Sequence, residues 1–125
     1  MTKQIERVQT QKESNFINSL TLASYRGKDL LEISGISSKG NNQLISIMEV
    51  LQSRVGGFFD HKESSPNSRE TVDDLFESIQ SDLYSEIKGF AEFIFDSEKK
   101  SNYFTNQIHE KFLRNYTASL KKQTL

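Results

Sequence analysis

Few residues in this chain have the type and spacing to do chemistry. Asp73 and Glu77, and Asp82 and Glu86, are carboxylate pairs four residues apart, which puts each pair on one face of a helix. Paired metal ions in helical bundles need inward carboxylates and a Glu-x-x-His pattern. The two histidines are His61 and His109, and neither has an acidic residue three positions before it. The carboxylates therefore read as a solvated face, and no metal or other cofactor is expected. Gly35 and Gly40 have the glycine spacing of a phosphate loop, but Asn41 stands where that loop's lysine belongs. Ser97 and Lys100 match a Ser-Lys nucleophile pattern in spacing alone, with no oxyanion support beside them. Neither histidine has an evident orienting partner for a Ser/His/Asp set. With no cysteine, the chain has no thiolate nucleophile, disulfide or sulfur-ligated zinc. We expect no enzymatic activity.

Composition points the same way. The 125 residues suit a single domain, 34 % are hydrophobic, and the formal charge is −1. A hydrophobic fraction this low implies thin elements with large polar faces, as long amphipathic helices have. No global basic field draws in nucleic acid. The first residues, MTKQIERVQTQKE, lack an apolar segment of the kind a signal peptide needs. No apolar run is long enough to span a membrane, and we expect a cytoplasmic protein. The sequon Asn115-Tyr116-Thr117 is accordingly read as chance.

The strongest periodic signal runs from Val72 to Phe95. Val72, Leu75, Phe76, Ile79, Leu83, Ile87, Phe90 and Ile94 make one apolar stripe at helical spacing. Ser65 before Pro66, or Asn67 with Glu70, could cap this central helix, and acidic residues crowd its first turns. A first helix is expected over about Lys3–Glu32 on Ile5, Val8, Phe16, Leu20, Ala23, Leu30 and Leu31, with Lys12 and Gly27 on the same face. Its first dozen residues are expected to fray or to order against a partner. The pattern continues through Gly27, so one helix is expected at a cost of about 1 kcal/mol for the glycine. It stops at Ser34-Gly35, and residues 33–42 read as a loop whose Asn41 or Asn42 caps the next helix.

That second helix is expected over about Gln43–Phe59, with Leu44, Ile45, Met48, Leu51, Val55, Phe58 and Phe59 on one face. Ile47 and Val50 widen it, which suggests an interior element, and Gly56-Gly57 could kink or end it. Residues 60–68 read as a loop holding His61. Residues 96–102 read as a turn in preference to a helical joint, and a last helix covers about Ser101–Lys121 on Tyr103, Phe104, Ile108, Phe112, Leu113, Tyr116 and Leu120. The expected fold is all-α: an antiparallel bundle or elongated array of about four amphipathic helices.

Two surface features stand out. The central helix is acidic, while the last helix is basic through Lys99, Lys100, Lys111, Arg114, Lys121 and Lys122. Pairing of these charges would help to set two antiparallel neighbours, at a few tenths of a kcal/mol for each exposed pair. Phe93 and Phe95 lie off the stripe that Phe90 and Ile94 define, so the end of the central helix is apolar on several sides. Candidate contact residues are therefore Phe93, Phe95, Tyr103 and Phe104 around the joint, and Phe58 and Phe59 on the second helix.

The order of elements also resembles the phasins, helical proteins that coat polyhydroxyalkanoate granules. The similar stretch is Asn18–Gly35, with its charged-plus-leucine run Lys28-Asp29-Leu30-Leu31-Glu32. A second amphipathic helix, a proline-containing turn and a long helix carrying Phe76, Gln80 and Tyr84 follow. Many phasins are alanine-rich, whereas alanine stands here only at 23, 91 and 118. The resemblance implies helices that cover an apolar polymer surface and self-associate in solution. The residues themselves suggest amphipathic faces offered to a partner protein, to a second copy or to an apolar polymer or lipid surface. An adaptor, a secretion or assembly chaperone, or an immunity-type inhibitor would act in this way.

Overall fold

The computed structural model describes residues 10–36, 38–65 and 67–123. Four helices follow in order: α1 (Gln11–Ile33), α2 (Ser38–Ser64), α3 (Val72–Ile94) and α4 (Glu98–Gln123). α1 and α3 each pack against both α2 and α4, so the helices close a ring in chain order. Neighbours are antiparallel. Phe16 meets Tyr116 near one end of the α1–α4 pair, while Leu30 and Phe104 share a cleft at the other. This is the all-α antiparallel bundle that the apolar stripes imply. The buried apolar residues form one cluster, drawn from all four helices. Among the described residues no helix is long and apolar enough to cross a membrane.

Thr10 caps α1, its hydroxyl accepting from the Glu13 N–H at 3.1 Å. The proposed start at Lys3, with Ile5 and Val8, lies outside the described residues. Buried positions at 13, 16, 20, 23, 27 and 30 set the register, and they turn Glu13 inward and Lys12 out to solvent. Gly27 stays helical, and crowding explains it. A Cβ there would stand 2.8 Å from both Ile108 Cδ1 and Leu44 Cδ2. The chain then stops where expected. Gly35 takes a φ of +72°, Ile36 N–H donates to Leu31 O at 2.9 Å, and Gly35 N–H donates to Glu32 O at 3.1 Å. That is a Schellman motif, which needs a residue tolerant of the left-handed region.

α2 is longer than its pattern suggests at both ends. It begins at Ser38, so Gly40, Asn41 and Asn42 are helical and neither asparagine is the cap. Gly40 is demanded by packing, since a Cβ would come within 2.8 Å of Ile36 Cγ2 and 3.1 Å of Ile94 Cδ1. At the other end α2 runs through Gly56-Gly57 to Ser64, placing His61 on its last turn. Buried Phe58 and Phe59 anchor the segment beyond the glycines. Nor is α2 the interior element: Ile45 and Val50 are exposed, because each helix of a closed ring has an outer face. No atom stands within 4 Å of a Cβ at Gly57. Gly57→Ala is expected to stabilise the fold by about 0.5–1 kcal/mol, read as a higher urea midpoint.

α3 is capped by Thr71, and neither Ser65 nor Asn67 serves; Pro66 lies outside the described residues. Thr71 Oγ1 accepts from Asp74 N–H at 3.1 Å, and Asp74 Oδ2 accepts from Thr71 N–H at 3.0 Å. This is a capping box with aspartate at its third position. Those two bonds hold the Asp74 carboxyl below its ordinary range. A depressed carboxyl stabilises the fold above its unfolded pKa, and the gain disappears as pH falls through the lower folded value. Thr71→Ala is expected to cost about 1 kcal/mol at pH 7. The difference between the two proteins should narrow in acid, which paired denaturant titrations at pH 7 and pH 3 would show.

The joint between α3 and α4 is a turn, as expected, but a shorter one. Phe95 leaves the helix in an extended conformation, and Ser97 Oγ accepts from Lys100 N–H at 3.2 Å. α4 therefore starts at Glu98, and residues 98–102 are helical.

Candidate functional site

Connections 34–36 and 95–97 lie at the same end of the bundle. There the last turns of α1 and the first turns of α4 line a cleft of about 890 Å³. α1 contributes Leu30 and Ile33, and the following loop contributes Ile36. Ile94 and Phe95 enter from the end of α3, and Tyr103 and Phe104 from α4. Leu30 and Phe104 are buried and form the floor, while Ile33 is 81 % and Tyr103 56 % exposed at the rim. Arg26, Lys99 and Lys100 stand around this apolar surface, with Asp96 as the one carboxylate lining it. Lys100 Nζ donates to Asp96 Oδ1 at 3.1 Å, which lowers the pKa of that carboxyl.

The six candidate contact residues separate. Phe95 and Tyr103 line the cleft. Phe93 is 82 % exposed but lies on another side, in a shallower groove between α2 and α3 beside Ser46, Ile47 and Gly89. Phe93 is on the last turn of α3, while Phe95 has left the helix in an extended conformation, so the two side chains face different hollows. Phe104 is 1 % exposed, with its ring 5.2 Å from Phe95 and 6.0 Å from Phe90. It is core that the cleft touches from above. Phe58 and Phe59 stack edge-on at 5.2 Å and are buried, so they belong to the core and present no contact surface. Ile33 and Ile36 escape the sequence reading because a loop assignment removes them from any stripe. Their one signal is the apolar pair flanking Ser34-Gly35.

The chemistry-bearing residues are spread out. Asp73, Asp74, Glu77 and Glu86 are exposed on α3, and Asp82 binds Arg54 across to α2 at 2.5 Å. Among the described residues no three His, Asp or Glu side chains group so as to hold a metal ion. Two of the basic residues expected to pair with α3 pair locally: Lys100 bonds Asp96, and Arg114 pairs with Glu110 on its own helix. Side chains four residues apart meet with less loss of freedom than those on separate helices.

His109 makes a polar contact between α3 and α4: its Nε2 lies 2.9 Å from Gln80 Oε1, and its ring meets Tyr84 edge-on at 5.3 Å. Burial lowers the His109 pKa, and the bond to Gln80 opposes this in part. The folded state thus favours the neutral ring. Its contribution is complete above the ordinary value near 6.5 and is lost as pH falls through 6.5 and below. Melting temperature is expected to fall between about pH 7 and pH 5, and by less in His109→Gln. Equal slopes would remove His109 from this account.

No protein-family model, curated protein or solved structure matches this chain.

Proposed function

We propose that this chain is a non-enzymatic helical interaction protein, and that it binds an apolar segment of a partner protein in the cleft between α1 and α4. The observation that carries this reading is the cleft itself, an apolar hollow with Ile33 and Tyr103 left exposed on its rim. Covering one such side chain completely contributes about 1.5–3 kcal/mol. A concave, mostly apolar site with a few polar groups at its edge is the usual form of a recognition surface. His109 packs between Gln80 and Tyr84, Ser97 caps α4, and the α3 carboxylates lie away from the cleft, which supports binding over catalysis.

Affinity capture from the protein's own cell, followed by mass spectrometry, tests this. A stoichiometric partner is expected, and its capture should fail with Ile33→Ser/Tyr103→Ser while circular dichroism stays unchanged. Capture that survives this double substitution would refute the cleft as the site. A second reading, coating of an apolar polymer or lipid surface in the phasin manner, draws on Phe93, Tyr25 and Val50, which are exposed on other faces. Partitioning into a hydrocarbon emulsion with a gain in helicity would favour it.

A further inference from the structure

The cleft continues along the groove between α1 and α4. Below it, Arg26 borders a second hollow with Gln107, Glu110, Lys111 and Arg114. On α4 the positions lining the groove are 99, 100, 103, 104, 107, 110, 111 and 114. They recur every three or four residues, so they share one face of the helix. The matching positions on α1 are 26, 30 and 33. Two such faces with a groove between them can receive a third helix.

The charge in this groove differs from that of the whole chain. The chain carries −1, yet the groove holds five cations (Arg26, Lys99, Lys100, Lys111 and Arg114) against two carboxylates. Both carboxylates are engaged, Asp96 with Lys100 and Glu110 with Arg114. Arg26 donates to the neutral Gln107 at 2.6 Å. Lys99 and Lys111 are exposed, and their ammonium groups make no hydrogen bond or ion pair with the described residues. Three cations therefore remain in the groove without a negative partner, Arg26 and Lys99 beside the apolar floor and Lys111 in the second hollow.

Resting on the reading above, we infer that the partner segment is an acidic amphipathic helix. Its apolar side chains would enter the cleft over Leu30 and Phe104, and its carboxylates would face Arg26, Lys99 and Lys111. The mode is helix-in-groove recognition, with packing giving affinity and charge giving orientation and choice of partner. A flat anionic membrane would meet the lysines but would leave the concave floor uncovered.

The test uses the full chain and three fluorescent peptides of about 18 residues, long enough for a helix of about 27 Å. One has leucines at helical spacing flanked by glutamates, one has lysines in place of the glutamates, and one scrambles the first. Anisotropy is expected to show the glutamate helix binding at least about tenfold tighter than either control, with the advantage shrinking as salt rises from about 0.05 M to about 0.5 M. Lys99→Glu/Lys111→Glu should reverse the preference while leaving the melting temperature unchanged. Vesicles of phosphatidylglycerol should not compete.

Equal binding of the scrambled peptide, no response to the charge reversals, or displacement by vesicles would each overturn the acidic-helix inference. Tighter binding of the lysine helix, abolished by Ile33→Ser/Tyr103→Ser, would overturn it too, while leaving the apolar cleft as a binding site. If none of the peptides binds, the acidic-helix inference fails. The cleft reading then stands or falls with the affinity capture.

Discussion

Phe112→Ala is expected to lower the unfolding free energy by about 3–5 kcal/mol. The ring is fully buried and lies 6.0 Å from Phe16, 5.9 Å from Phe76 and 6.1 Å from Tyr116. It therefore ties α4 to both of its neighbours at one end of the bundle. Removing it opens a cavity among rings that cannot collapse inward without leaving their own contacts. A small domain has only about 5–15 kcal/mol of stability in total, so this loss is a large share of it. Urea denaturation followed by circular dichroism measures it. A loss below about 1 kcal/mol would mean that the aromatic layer repacks freely.

Phe104→Ser and Phe93→Ser should behave in opposite ways, although both residues belong to the apolar set around the α3–α4 joint. Phe104 is enclosed beneath the cleft, so serine there leaves a cavity and a hydroxyl with no built partner. The expected cost is about 4 kcal/mol or more. Phe93 is mostly in water, and Phe93→Ser should shift stability by less than about 0.5 kcal/mol. The pair separates core from surface in one experiment. Matching losses would show that the end of α3 packs more deeply than this arrangement allows.

Much of the fold is legible in the sequence. The stripe from Val72 to Ile94 needs no tertiary information, because helical spacing alone places Ile79, Leu83 and Ile87 on one line. The end of α1 is equally local, since Ser34-Gly35 supplies the left-handed residue that a Schellman motif requires. The thin apolar content implies slender helices, and the ring of four satisfies it with one stripe buried from each.

Other features follow from contacts between distant segments. Gly40 has the look of loop chemistry, yet it is helical because Ile94, from another helix, packs where a side chain would be. Gly27 is a penalty in isolation and a requirement beside Leu44 and Ile108. Thr71, with Asp74 in place of the more usual glutamate, caps α3 in preference to the proline-linked serine. The cleft is least legible of all. Its rim joins Ile33, Phe95 and Tyr103 from three separate segments, and no pattern within one helix brings them together. By itself the sequence determined which faces are apolar, because periodicity is a property of one helix. Only the tertiary structure decided that Phe104 closes the core while Ile33 and Tyr103 stay open to solvent. That distinction depends on which neighbouring helix covers each face.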